Sequence, residues 1–189
     1  MCDFLINNSV DKKKHIKRLN KYSEEFLYNI IRRPGPFLQC CLFQKKFLLQ
    51  HINCFDRKSE PSEDWDFFIS ISKHKPTIKN INENLFQWNL SSKSQSANYK
   101  NEALAIEYIV NKHLKYILKN SSRKNLAVLF RKVGSMFFYI KSFNRADFYF
   151  KKSISLNPFD LRGLCLQTLF FLPQAVRINM LSLMRKKIV

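Results

Sequence analysis

"SEDWDFFISISKH", residues 62–74, crowds three carboxylates, Glu63, Asp64 and Asp66, at the mouth of an otherwise aromatic and apolar segment. Acids followed by apolar residues at three- and four-residue spacing predict a helix from Ser62 to about Lys73. On a helical wheel the acids separate. Glu63 shares a mostly polar stripe with Asp66, Phe67 and Ser70, whereas Asp64 lines up with Phe67, Phe68 and Ile71, beside Trp65 and Ile69. Ser62 as the N-cap, with acids near the positive end of the helix dipole, accounts for Glu63 and Asp66 as solvent-facing charges. Asp64 is explained less well by capping. A carboxylate on the greasy side of a helix start is partly desolvated, and that environment suits general-base chemistry.

Working outward, "CDFLINN" (2–8) predicts a strand, and the basic run that follows, with "KKKHIKR" at 12–18, a solvated hairpin or loop. "SEEFLYNIIRR" (23–33) predicts a short helix capped by Ser23 and ended before Pro34. "PFLQCCLFQKKFLLQ" (36–50) predicts a buried strand passing into a short helix, and "CFDRKSEPS" (54–62) a polar loop. Downstream, "PTIKNINENLFQWNL" (76–90) predicts one or two strands. The Ser- and Asn-rich "SSKSQSAN" (91–98) predicts a linker and a domain boundary. Beyond it, Ala103, Ile106, Ile109, Val110, Leu114 and Ile117 keep helical spacing; a helix pair follows from Asn125 to Leu156, then two further helices, the last amphipathic and basic.

The totals constrain function. With 33 Lys and Arg against 14 Asp and Glu, the formal charge is +19, which suits a polyanionic partner or an anionic membrane face. The basic residues are scattered in a Lys-, Asn-, Ile- and Phe-rich chain, so compositional drift is the preferred explanation, and nucleic acid is not the expected partner. Only three Gly are present, and neither GxGxxG nor GK[ST] occurs, which argues against a Gly-rich phosphate loop. Cys2, Cys40, Cys41, Cys54 and Cys165 show no metal-ligand spacing, and reduced thiols in a cytoplasmic protein are expected. The four histidines, 15, 51, 74 and 113, show no Ser or Cys partner spacing and are expected on the surface or in packing. The apolar run Leu164–Leu172 is too short to span a bilayer. The last helix is expected to pack on the preceding ones, with peripheral contact at the inner membrane face as the alternative.

Residues 127–160 carry a repeat-like pattern. Phe130, Val133, Gly134 and Phe137 share one helix; Ala146, Phe150 and Ser153 share the next, and Pro158 ends it. This resembles one tetratricopeptide repeat, with Phe130 where Trp is commoner and Ser153 where Ala is commoner. The resemblance implies two antiparallel helices crossing closely at Gly134 and Ala146, capped by their neighbours, and a surface able to hold a protein partner.

The stretch 54–98 looks like the acceptor-side half of a family-2 glycosyltransferase. It carries Phe55-Asp56, then Glu63-Asp64-Trp65-Asp66 with an apolar continuation, then Asn84-Leu85 with Trp88, then the Ser-rich Ser91 to Ser96. The fold implied is α+β: residues 1–96 as the C-terminal part of a nucleotide-diphospho-sugar transferase-like (GT-A) domain, and 99–189 as an all-α tetratricopeptide-like domain. The resemblance further implies Asp64 as the general base, with Glu63 as the second candidate. Trp65 would wall the site for a glycan or lipid-linked acceptor. The donor-binding half of such enzymes, with its Asp-x-Asp metal motif, has no counterpart in these 189 residues. The chain is therefore expected to hold no cofactor or metal of its own and to be inactive without that half, a divalent cation being expected only with it. Two alternatives stay open: a non-catalytic helical interaction module, and a basic protein binding nucleic acid or an anionic membrane.

Overall fold

The structure is a computed structural model that describes residues 2–8, 13–17, 30–31, 38–52, 55–90 and 98–179. The chain divides into two compact units, 1–120 and 121–189.

The first unit holds a three-stranded sheet in the order β2-β1-β3, from β1 (Cys2–Asn8), β2 (Lys13–Lys17) and β3 (Ile81–Leu90). β1 and β2 pair antiparallel, with Phe4 opposite Lys17 and Asn8 opposite Lys13, so the basic run forms a strand beside its neighbour. β1 and β3 run parallel, Phe4 opposite Phe86 and Asn8 opposite Leu90, with register shifts between Cys2 and Phe4. Parallel pairing demands a long crossover, because the chain must return to the starting edge. Here that crossover contains α1 (Lys45–His51) and α2 (Glu63–Ser72).

α2 is buried almost all round: Trp65, Asp66, Phe67, Phe68, Ile69, Ile71 and Ser72 are all shielded. Ser62 occupies the N-cap position but makes no side-chain capping bond, contrary to the expectation. The helix yields after Lys73, where Lys75 takes a left-handed φ of 48° and Pro76 follows. Around α2 the core gathers Ile30, Ile31, Ile109, Val110 and Ile117. The last three come from α3 (Tyr99–Lys112) and α4 (Leu114–Asn120). Asn98 caps α3 by accepting the Asn101 N–H at 3.2 Å. α3 and α4, which the sequence places in the C-terminal domain from residue 99, thus fall within the first compact unit. No strand forms at 38–44; a 3-10 turn, Leu38–Cys40, leads toward α1. The short helix expected after that strand does form, as α1, while Leu38 to Gln44 lacks the alternation a half-buried strand shows. The helix expected at 23–33 lies outside the described residues except at Ile30 and Ile31, which are helical.

The second unit is all helix among its described residues. α5 (Arg123–Tyr139) and α6 (Phe143–Leu156) form a hairpin turned at Lys141, which has a left-handed φ of 64°. Ser122 caps α5 by accepting the Asn125 N–H at 3.2 Å. The pair is antiparallel: the Ser153 hydroxyl donates to the Ala127 carbonyl at 2.7 Å at one end, while Phe138 meets Phe143 at the other. Between them the rings of Phe137 and Tyr149 stack at 5.8 Å and 4°. α7 (Leu161–Thr168) is anchored at its start by Arg131, whose Nε donates to Asp160 at 2.8 Å.

Gly134 sets the approach of α5 to α6. A Cβ there would sit 2.6 Å from the Phe150 ring, itself 0% exposed, and 3.2 Å from the Ala146 carbonyl. Gly134→Ala is therefore predicted to destabilise this unit by about 1–2 kcal/mol, overpacking outweighing the roughly 1 kcal/mol helix-propensity gain of Ala over Gly. Urea unfolding checks this; a variant as stable as the parent would mean that the helices part readily.

Candidate functional site

The acids at the start of α2 meet three different environments. Asp66 is 4% exposed, and both of its oxygens are engaged. Its Oδ2 accepts from Lys112 Nζ at 2.8 Å, and its Oδ1 lies 2.7 Å from His113 Nε2. Burial alone would raise this carboxyl, but the bonds from His113 and Lys112 outweigh it and hold the group below the usual carboxylate range. Asp66 is therefore not the solvent-stripe charge expected from the wheel. The apolar side of α2 wraps so far round that its polar stripe is covered as well.

Asp64 is half-buried and lies two residues away, where side chains of a helix diverge. Its Oδ1 accepts the Trp65 backbone N–H at 2.7 Å. Burial pushes this carboxyl up to about 6; the Trp65 N–H opposes the rise and the Glu63 charge adds to it. Glu63 is half-buried too, and its Oε2 is shielded without a hydrogen-bond partner among the described residues, rather than turned to water. Trp65 is 1% exposed and donates Nε1–H to the Ile30 carbonyl at 2.7 Å. It is a core anchor in this structure and offers no open wall to an acceptor.

Asp56, of the Phe55-Asp56 pair, joins the same network. Its Oδ2 accepts from Tyr108 Oη at 2.7 Å and from Lys112 Nζ at 2.8 Å, and its Oδ1 from the Lys58 N–H at 3.0 Å. The Lys112 and Tyr108 bonds hold this carboxyl far below its ordinary range. Lys112 thus bridges two carboxylates. Burial would lower its ammonium, but the bonds to Asp56 and Asp66 raise it. Beside the network lies a cleft of about 380 Å³, with Phe55, Asp56, Arg57, Asp66, Ser70 and Lys112 in its walls. Glu63 and Asp64 do not line it.

The sequence picks out Asp64, Glu63 and Trp65, and the structure brings them together only as neighbours on one helix turn. It joins Asp56 and Asp66 through Lys112, His113 and Tyr108, which sequence reasoning missed. Tyr108 and Lys112 share a helix face at i and i+4, a spacing visible in the sequence; their acidic partners lie 46 to 56 positions away, which no spacing shows. His113 is 2% exposed, so it is a packed and paired histidine. His51 and His74 stack at 4.2 Å. Asn84, Leu85 and Trp88 fall on β3, and most of 91–98 lies outside the described residues.

Among the described residues no group of three or more His, Cys, Asp or Glu is placed to hold a metal ion. Asp64-Trp65-Asp66 does not fit one either, because its two carboxylates diverge and Asp66 is already saturated. No helix among the described residues is long and apolar enough to cross a membrane. Compared with known proteins, the chain matches no family model, no curated protein and no solved structure.

Removing one partner from a buried ionic group leaves the other uncompensated. Asp66→Asn is predicted to cost about 3 kcal/mol in urea unfolding; a loss under about 1 kcal/mol would show that the network is not structural. The acids also divide by pH. Asp56 and Asp66, with depressed folded-state values, contribute stability that is present above the ordinary carboxylate range near 4 and lost as pH falls below it. Asp64, raised to about 6, acts oppositely. Between about pH 4 and 6 the folded state binds its proton more tightly than the unfolded chain, so stability falls as pH rises through that window. Asp64→Asn should remove this fall, worth about 3 kcal/mol, and leave the acid limb below pH 4 in place.

Proposed function

We propose that this chain is the acceptor-side part of an inverting sugar transferase of the family-2, GT-A type, followed by a tetratricopeptide-like helical unit, with Asp64 as general base. The observation that carries this reading is the placement of the Asp64 carboxyl, half-buried at the first turn of a shielded helix, where burial pushes it up to about 6. A base of that strength is ionised at neutral pH yet retains proton affinity, as proton abstraction from a sugar hydroxyl requires. Support comes from the Glu63-Asp64-Trp65-Asp66 pattern at a helix start, and from a strand parallel to β1 supplied by "INENLFQWNL". The close α5–α6 crossing at Gly134 supports the repeat-like reading of the second unit.

In this reading Asp64 takes the proton of the acceptor hydroxyl as its oxygen bonds to the anomeric carbon of the donor sugar. The bond from that carbon to the nucleotide diphosphate breaks, and the diphosphate leaves with the electron pair. Glu63 next to it helps to keep the base strong, since its charge adds to the rise. Asp56, Asp66 and Lys112 position the helix and exchange no proton. The acceptor class is a glycan or lipid-linked saccharide, and the setting is cytoplasmic, with peripheral contact at the inner membrane face as the alternative. The donor nucleotide and its cation belong to a half that these residues do not provide.

A second reading, a non-catalytic interaction module, draws support from the exposed rings of the helical unit, Phe159 at 90% and Phe171 at 86%. The two separate by experiment. Joined to the nucleotide-binding half of a family-2 enzyme, the chain is predicted to transfer sugar, with Asp64→Asn lowering kcat by about 10²–10⁴-fold and Glu63→Gln by less than about tenfold. Transfer that survives Asp64→Asn would sink the catalytic reading. The isolated chain is predicted to show no binding of nucleotide sugars in calorimetry; binding would locate a donor site within these residues.

A further inference from the structure

The helical unit contains its own cleft, shallow and about 370 Å³ in volume, between the start of α6 and the segment 167–177. That size falls within the range of small-ligand sites. Asp147 is paired with Lys151 at 2.7 Å, but two polar atoms in the cleft are left unpaired. Gln167 donates Nε2–H to Asp147 Oδ1 at 2.7 Å. A carboxylate only accepts, so this bond fixes the orientation of the amide and leaves Oε1 as a free acceptor. That Oε1 is buried and has no partner among the described residues, and the same is true of Arg177 Nε. The Arg177 guanidinium lies over the rings of Phe143 and Phe170, at 4.8 and 5.0 Å, and its charge helps to hold the Asp147 carboxyl low. Phe171 also lines the cleft and is 86% exposed.

An acceptor and a donor buried without partners cost roughly 1–3 kcal/mol each unless something enters to meet them. The occupant must therefore offer a donor and an acceptor together, on the one wall formed by 167–177, with an apolar face for an exposed ring. Asp147 is already paired with Lys151 at 2.7 Å, but a carboxylate or a fully ionised phosphate brings acceptors alone and would leave Gln167 Oε1 unmet. A hydrocarbon would satisfy neither orphan. A single peptide group carries its N–H and C=O on opposite edges. Neighbouring hydroxyls on a sugar ring meet the need, because each is both donor and acceptor.

We propose that this cleft is a carbohydrate-binding site. One hydroxyl donates to Gln167 Oε1, its neighbour accepts from Arg177 Nε–H, and the positively polarised C–H face of the ring lies on the Phe171 π face. The site stands apart from the catalytic reading, since it belongs to the helical unit and does not use Asp64. It would hold a saccharide chain whether or not transfer occurs.

The test is titration of the full chain with maltotriose, cellotriose and chitotriose, followed by NMR chemical shifts and calorimetry. Inorganic phosphate and the blocked dipeptide N-acetyl-Phe-Ala-amide serve as rival probes. At least one trisaccharide is expected to bind with a Kd of about 10 mM or tighter. Gln167→Leu and the surface change Phe171→Ala should each weaken binding about tenfold. Phe159→Ala, outside the cleft, and Asp64→Asn should leave it unchanged. Absence of binding by all three sugars would overturn the proposal, as would binding indifferent to both cleft variants, or occupancy by phosphate or dipeptide in place of sugar. Binding lost in Asp64→Asn but kept in Phe171→Ala would also overturn it and would move saccharide recognition to the first unit, so the two proposals fail separately.

Discussion

The first unit depends on one carboxylate. Asp66 is buried on α2 and held between Lys112 and His113, consecutive residues at the end of α3. A desolvated carboxylate is costly unless its lone pairs are met, and here two donors from a distant helix meet them. Lys112 then reaches on to Asp56, which also takes the Tyr108 hydroxyl, so that one ammonium ties the loop before α2 and the helix itself to α3. Apolar burial is non-directional and would let α2 rotate or slide; charge-assisted bonds of fixed geometry set its register.

With α2 so fixed, the neighbouring acids acquire opposite properties. Asp66 and Asp56 are kept ionised by their cations, while Asp64, without a cation, is pushed up by burial. Carboxylates on α2 and on the loop before it thus split into a structural pair and one group raised by burial. That division is the physical basis for assigning proton transfer to Asp64 and not to the more elaborate Asp56–Lys112–Asp66 network, whose groups are already saturated.

Much of the framework was legible in the sequence. The helix at 63–72, the strand at 2–8, the helical spacing of Ala103 to Ile117 and the close crossing at Gly134 follow from periodicity and residue size, which are local properties. The environment of Asp64 was legible for the same reason, since its stripe is apolar. What escaped was long-range. Asp66 sits on the polar stripe of the wheel, and only the arrival of α3 buries it. Trp65 satisfies aromatic spacing equally as a ligand wall or as a core anchor, and the Ile30 carbonyl that decides between them is 35 positions away. In the segment 36–50 the short helix forms at Lys45–His51 but the strand expected before it does not, because an apolar run without alternation is a weak strand signal. The cleft of the second unit was hidden as well, for Asp147, Gln167 and Arg177 form no motif.

The account centres on the Asp64 carboxyl being pushed up toward neutrality by burial, while Asp66 on the same helix is held low by Lys112 and His113. Carbon-13 NMR titration of the side-chain carboxyls measures this directly. The predicted result is an Asp64 midpoint near 6, with Asp56 and Asp66 still ionised at the lowest pH the fold survives. An Asp64 midpoint near the ordinary value of about 4 would contradict it and remove the physical ground for a base at this position.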